Sequence, residues 1–95
     1  MPKGYMIARA IVTNPGAWAE YAEKSNEAAR LYGGTFIVRG GRCEVVEGEG
    51  RARNAVAEFE SFEAARTYVH SSEYQEARKL REHAGVIDMI VVEGV

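Results

Sequence analysis

Two segments constrain this chain most. Tyr5 to Val12 (YMIARAIV) and Val86 to Val92 (VIDMIVV) have the length and residue types of β-strands. Side chains alternate between faces along a strand. The first segment therefore sends Met6, Ala8, Ala10 and Val12 one way and Tyr5, Ile7, Arg9 and Ile11 the other. The last sets Ile87, Met89 and Val91 against Val86, Asp88, Ile90 and Val92. A sheet with one wet face alternates apolar and polar residues. These strands are apolar on both faces apart from single charges, so both faces of their sheet need cover.

The elements between them follow from spacing and punctuation. Asn14 is a good N-cap and Pro15 suits a first helical turn. Trp18, Tyr21, Ala22, Ser25, Ala28, Ala29 and Tyr32 then recur at spacings of three and four, which predicts one apolar helix face. Gly33-Gly34 ends that helix. Thr35 to Arg39 is the next expected strand. Gly40-Gly41 suits a two-residue turn, and Arg42 to Glu47 (RCEVVE) is expected to return beside it as a hairpin arm. Gly48 to Arg53 (GEGRAR) is polar and glycine-rich. Ala55 to Phe59 is the third main strand. Ser61 and Ser72 are plausible caps for two helical segments, one through Phe62, Ala65, Tyr68 and Val69, the other through Tyr74, Ala77, Leu80 and Arg81.

The order is that of a split βαβ, or ferredoxin-like, α+β domain with a four-stranded antiparallel sheet. Both helices lie on one side of such a sheet. A second copy of the same sheet is the simplest cover for the other side, so a homodimer through the open sheet face is expected. The plain alternative is exposed apolar surface.

Length allows one domain, residues 1–95. With 14 acidic and 12 basic residues and no basic run, the chain offers no electrostatic footprint for nucleic acid or an anionic membrane. No apolar stretch approaches the ~20 residues that span a bilayer. The apolar start carries Arg9 and reads as a strand, not a signal peptide. One cysteine, Cys43, cannot form an internal disulfide. Cytoplasmic location is the default expectation.

Four charges interrupt the strands: Arg9, Arg39, Glu58 and Asp88. They can surround a polar cavity for a small anionic or carbonyl-bearing ligand, because a guanidinium grips a carboxylate in two places. They can equally pair with one another or guard strand edges. His83, between the last helix and the last strand, can act as acid or base near neutral pH, or simply complement a helix C-terminus. His70 reads as structural, and no HExxH frame exists, so no metal site is expected. Trp18 and Tyr21 are core residues by spacing, yet with a strand charge behind them they can line a cleft for a flat organic ligand. Neither Gly-Gly pair leads into a helix, so neither is a phosphate cradle.

YGGTFIVRGG at Tyr32–Gly41, VVEGE at Val45–Glu49, EF at Glu58–Phe59 and SFEAARTYVHSSEYQEARKLRE at Ser61–Glu82 resemble the DUF1330 family, as does the opening KGYMIARAIVTNPGAWAEYA at Lys3–Ala22. The resemblance covers nearly the whole chain. It implies a dimeric α+β barrel of ferredoxin-like fold. Two positions depart from the family pattern: Glu60 stands where it usually has proline, and Thr35 where a basic residue is common. Related families include cofactor-independent monooxygenases, muconolactone isomerases, dyp-type peroxidases and chlorite dismutase-like haem proteins, but fold kinship does not transfer chemistry. The expectation is therefore a homodimer that binds, or transforms by cofactor-independent acid/base chemistry, a small aromatic or carbonyl-bearing metabolite. His83, Asp88 and Glu58 are the catalytic candidates, and Arg9, Arg39, Trp18 and Tyr21 the ligand-binding ones. A non-catalytic ligand-binding or structural dimer is the alternative. No cofactor is expected, since haem would need a histidine facing a large cavity.

Overall fold

The computed structural model describes residues 2–95. Seven elements follow in order: β1 (Gly4–Val12), α1 (Pro15–Leu31), β2 (Thr35–Arg39), β3 (Arg53–Phe59), α2 (Phe62–His70), α3 (Ser72–Lys79) and β4 (Gly85–Glu93). The four strands make one antiparallel sheet in the order β2-β3-β1-β4, with all three helices on one side. This is the split βαβ arrangement expected from the sequence.

The sheet is open. β2 and β4 are its two edges and share no pairing, so the expected barrel is not formed. Four strands are too few to curl into a closed ring with a filled interior. The hairpin arm is also absent. Gly40 and Gly41 take the left-handed φ values of a turn, +70° and +87°, but residues 40–52 contain no strand. RCEVVE offers only Cys43 and Val45 to one face, both of which stay exposed, and Val46 is 82% exposed.

Local signals explain where the helices start and stop. Asn14 is extended, and its Oδ1 accepts a hydrogen bond from the Ala17 N–H at 3.2 Å. Gly33, at φ +79°, closes α1, with the Gly34 N–H reaching the Ala29 carbonyl at 2.8 Å. The cap of α3 is Ser71, where Ser72 was expected. Ser71 keeps extended dihedrals, its Oγ accepts from the Tyr74 N–H at 3.1 Å, and Ser72 is already helical. β1 passes close under the start of α2: a Cβ on Gly4 would run into the Ser61 carbonyl.

The core lies between sheet and helices. Met6, Phe59 and Tyr68 are its largest fully buried side chains. Phe59 and Tyr68 stack with centroids 5.1 Å apart, and Tyr74 meets Tyr68 edge-on at the same distance.

β2 carries one irregularity that matters for function. Phe36 pairs with Ala57, but Val38 pairs with Val56, leaving Ile37 as an extra residue. This bulge changes which side chains share a face. In a regular strand Arg39 would point with Thr35, away from the helices. With Ile37 absorbed, Arg39 pairs with Ala55 and shares the helix side with Phe36.

Candidate functional site

A cleft opens between the first half of α1 and the sheet. It exists because the strand residues beneath α1 are small. Ala8, Ala10 and Ala55 form most of its floor, whereas the larger Met6 and Phe59 fill the space further along. Trp18, Tyr21, Ala22 and Ser25, on the buried and neighbouring positions of α1, make one wall, and Phe36 stands opposite. The enclosed space is about 40 Å³, room for a group of a few atoms and not for a ring, and the volume of a small-molecule site lies in the groove outside it, about 840 Å³. The inner part is narrow. The cleft widens past Trp18 and Ala22 into an open groove bordered by Glu23, Gly40 and Gly41.

Arg39 and Arg53 line both the inner cleft and the groove. Among the described residues, neither has a carboxylate within 4.0 Å. The Arg39 guanidinium sits 5.9 Å from the centroid of the Phe36 ring, an aromatic contact that holds a cation without neutralising it. The Arg53 guanidinium lies beside Gly40, whose missing side chain leaves it room, 3.4 Å from where a Cβ would be. Gly40 itself is pinned by its N–H to the Asn54 carbonyl at 2.7 Å.

Deeper in, polar groups on α1 meet α2 and α3. The hydroxyls of Tyr21 and Tyr74 are 2.9 Å apart. Ser25 Oγ and the Tyr68 hydroxyl are 2.6 Å apart, and Tyr68 also donates to the Ser25 carbonyl at 3.2 Å. Burial pushes the Tyr21 hydroxyl well above the usual phenol pKa, and its tyrosine neighbour adds to this. Burial does the same to Tyr68, against a smaller opposing contribution from its Ser25 hydrogen bond. Both stay protonated throughout the neutral range.

The open face of the sheet holds a second, separate set of charges. Asp88 pairs with Arg51 at 3.0 Å. Arg9 lies beside Asp88 in the β1–β4 register, and its Nη2 donates to the Glu49 carbonyl at 3.1 Å. The Tyr5 hydroxyl donates to Glu58 Oε2 at 3.0 Å, which raises the Tyr5 pKa. Asn54 Nδ2 donates to the Arg51 carbonyl at 3.1 Å and approaches Cys43 Sγ at 3.3 Å.

Of the residues singled out from sequence, the structure brings Arg39, Trp18 and Tyr21 to the cleft. Arg9, Glu58 and Asp88 are all on the opposite face. His83 is exposed in the turn after α3, with left-handed φ of +64°, away from both groups. Arg53 was not singled out. Its signal was present: counting back by two from Phe59, Ala57 and Ala55 continues the same face to Arg53. Among the described residues, no three His, Cys, Asp or Glu side chains gather as metal ligands. Among the described residues, no helix is long and apolar enough to cross a membrane.

A family model described as "Domain of unknown function (DUF1330)" matches residues 3–95. Among curated proteins, none matches. Solved structures share the fold. A protein of unknown function from Rhodopseudomonas palustris is 20% identical with a TM-score of 0.76, covering 99% of this chain and 83% of that one. SnoaB, a cofactor-independent oxygenase from Streptomyces nogalater, is 10% identical with a TM-score of 0.71, covering 97% and 92%. A dimeric ferredoxin-like protein of unknown function from a Jannaschia species is 17% identical with a TM-score of 0.70, covering 96% and 98%.

Proposed function

The chain belongs to the DUF1330 family, and on that premise we propose that it binds a small, flat organic anion in the cleft under α1, as a homodimer joined through its open sheet face. One observation carries the ligand reading: two guanidiniums without carboxylate partners stand at the mouth of a cleft with aromatic walls and an apolar floor. A cation beside an apolar surface favours an anion with an apolar body. The carboxylate of such a ligand would meet Arg39 and Arg53, and its ring would lie in the groove against Trp18.

Binding is the primary reading because the inner cleft contains no carboxylate or imidazole to move a proton. Cofactor-independent transformation of the bound molecule is the second reading. Its support is the fold shared with the Streptomyces nogalater oxygenase, and fold alone does not carry chemistry.

Support for the dimer comes from the uncovered face. Ile11, Val38, Val86 and Ile90 are each more than a third exposed there. Ile11 pairs with Val86, while Val38 and Ile90 lie in one row across the sheet with Val56 and Ile7, the Arg9–Asp88 pair standing between the two groups; exposed apolar patches mark interaction sites. The Jannaschia protein of the same fold is dimeric.

Trp18 is the chain's single tryptophan and lines the cleft, so its emission reports occupancy directly. Titration with benzoate should give a saturable change. Affinity should fall about tenfold or more on Arg39→Ala or Arg53→Ala, the loss expected for one charge-assisted hydrogen bond. Equal affinity in wild type and both variants removes the site. A monomer by light scattering at micromolar concentration removes the dimer.

A further inference from the structure

We propose that the narrow inner end of the α1 cleft is a hydrogen-bond donor site, made by Tyr21 with Tyr74 and Arg81 behind it, for a carbonyl oxygen of the ligand. This rests on the reading that the cleft binds an organic anion, and narrows it to a flat carboxylate with a slim carbonyl group opposite the carboxylate.

Proton counting carries the inference. Tyr21 and Ser25 line the inner cleft, and each is paired with a tyrosine behind it, Tyr74 and Tyr68; Tyr74 and Arg81 also line a separate groove against β4. In the Ser25–Tyr68 pairing, Tyr68 donates to the Ser25 carbonyl and Ser25 Oγ can donate to the Tyr68 oxygen, so both hydroxyl protons have acceptors. In the Tyr21–Tyr74 pairing there are two hydroxyl protons and one shared bond. The second proton has no protein acceptor among the described residues. Arg81 adds to the imbalance. Its guanidinium lies 5.2 Å from the centroid of the Tyr21 ring, and its Nε is buried without a partner. Among the described residues, no carboxylate pairs with Arg81. Arg81 can donate to the tyrosine oxygens, so the cluster is left with one spare phenol proton beside a positive charge. Buried donors left unmatched are unfavourable, so an oxygen brought by a ligand is stabilised there.

Position fits the same ligand. α1 rises about 1.5 Å per residue, so Tyr21 lies about 4.5 Å further along its axis than Trp18. Arg53 pairs with Ala10 in the ladder, near the mouth. A ring beside Trp18 thus has cations on one side and the tyrosine pair on the other. The narrow inner end admits a carbonyl more readily than a second ring. Burial keeps Tyr21 protonated, so it remains a donor at neutral pH.

The test compares benzoate with 4-formylbenzoate by isothermal titration calorimetry on the intact protein. Wild type should bind 4-formylbenzoate about tenfold more tightly than benzoate. Tyr21→Phe keeps the ring and should reduce that preference to about twofold or less. Tyr74→Phe leaves the Tyr21 proton without a competing acceptor and should keep the preference. Circular dichroism checks that both variants remain folded. Equal affinity of the two probes for wild type overturns the donor site while leaving the anion cleft standing. A preference retained in Tyr21→Phe overturns it as well. Failure of both probes to bind removes the cleft reading and the donor site together.

Discussion

On the helix side of the sheet, Arg39 and Arg53 stand at an apolar cleft with no carboxylate within 4.0 Å among the described residues, Glu23 bordering the same groove. On the open side, Arg51 is matched to Asp88, Glu58 accepts from Tyr5, and Arg9 donates to the Glu49 carbonyl. The two faces are a few ångströms apart and are built from alternate residues of the same strands. Only the Arg51–Asp88 pair is neutralised there; Arg9 and Glu58 are hydrogen-bonded to neutral groups, which lowers but does not remove the penalty of covering them with another apolar surface. Unmatched charge is poised for a group from outside. The difference separates a surface suited to a second copy from a surface suited to a ligand.

The strongest way to break this division is to attack the layer that holds the two faces in register. Phe59→Ala should cost about 3–5 kcal/mol of stability in urea denaturation, as for other fully buried aromatics. Arg39→Ala should change stability by only about 0.5 kcal/mol, because the side chain is exposed. A large loss with Arg39→Ala would make that arginine structural. Next in size is Ile90→Glu, which puts a charge on the open face at the edge strand β4, opposite Ile7. Burying it unpaired should weaken the dimer by about 3 kcal/mol, more than a hundredfold in dissociation constant, read from a light-scattering dilution series. An unchanged dimer would move the interface elsewhere.

The smallest effect concerns pH. Tyr5 has a raised pKa, first through its hydrogen bond to Glu58, then through burial and the Glu58 charge. A group raised on folding stabilises below its unfolded pKa, and that contribution is lost as pH rises through the folded pKa. Glu58→Gln should therefore move the Tyr5 titration, followed by ultraviolet absorbance, down towards the ordinary phenol value. No movement would mean that the Tyr5–Glu58 contact does not persist in solution.

How much of this could be read from the sequence depended on periodicity. Trp18, Tyr21 and Ser25 recur at helical spacing, and α1 buries them. The alternation of β1 put Met6, Ala8 and Ala10 on one face, and that face is the buried one. Pairing between strands lies beyond periodicity. Arg9, Arg39, Glu58 and Asp88 looked equivalent, one to a strand, until the register sent three to one side and the bulge sent Arg39 to the other. The hairpin arm failed for a related reason. Gly40-Gly41 supplies the turn, but a turn cannot hold a strand whose apolar side chains stay exposed. Arg53 was hidden in a polar, glycine-rich run that reads as loop, although its place in the alternation belongs to β3.

The bulge at Ile37 has a consequence for solubility. β2 is an edge of the sheet, and an exposed edge invites other chains to add a strand and grow an aggregate. An incoming strand reads a regular repeat of donors and acceptors, and at Ile37 that repeat loses step. Shortening β2 by that one residue would leave Arg39 facing the cleft and straighten the rim. What the longer strand gains is a guard against fibrillar growth, sited next to the place where a ligand would enter.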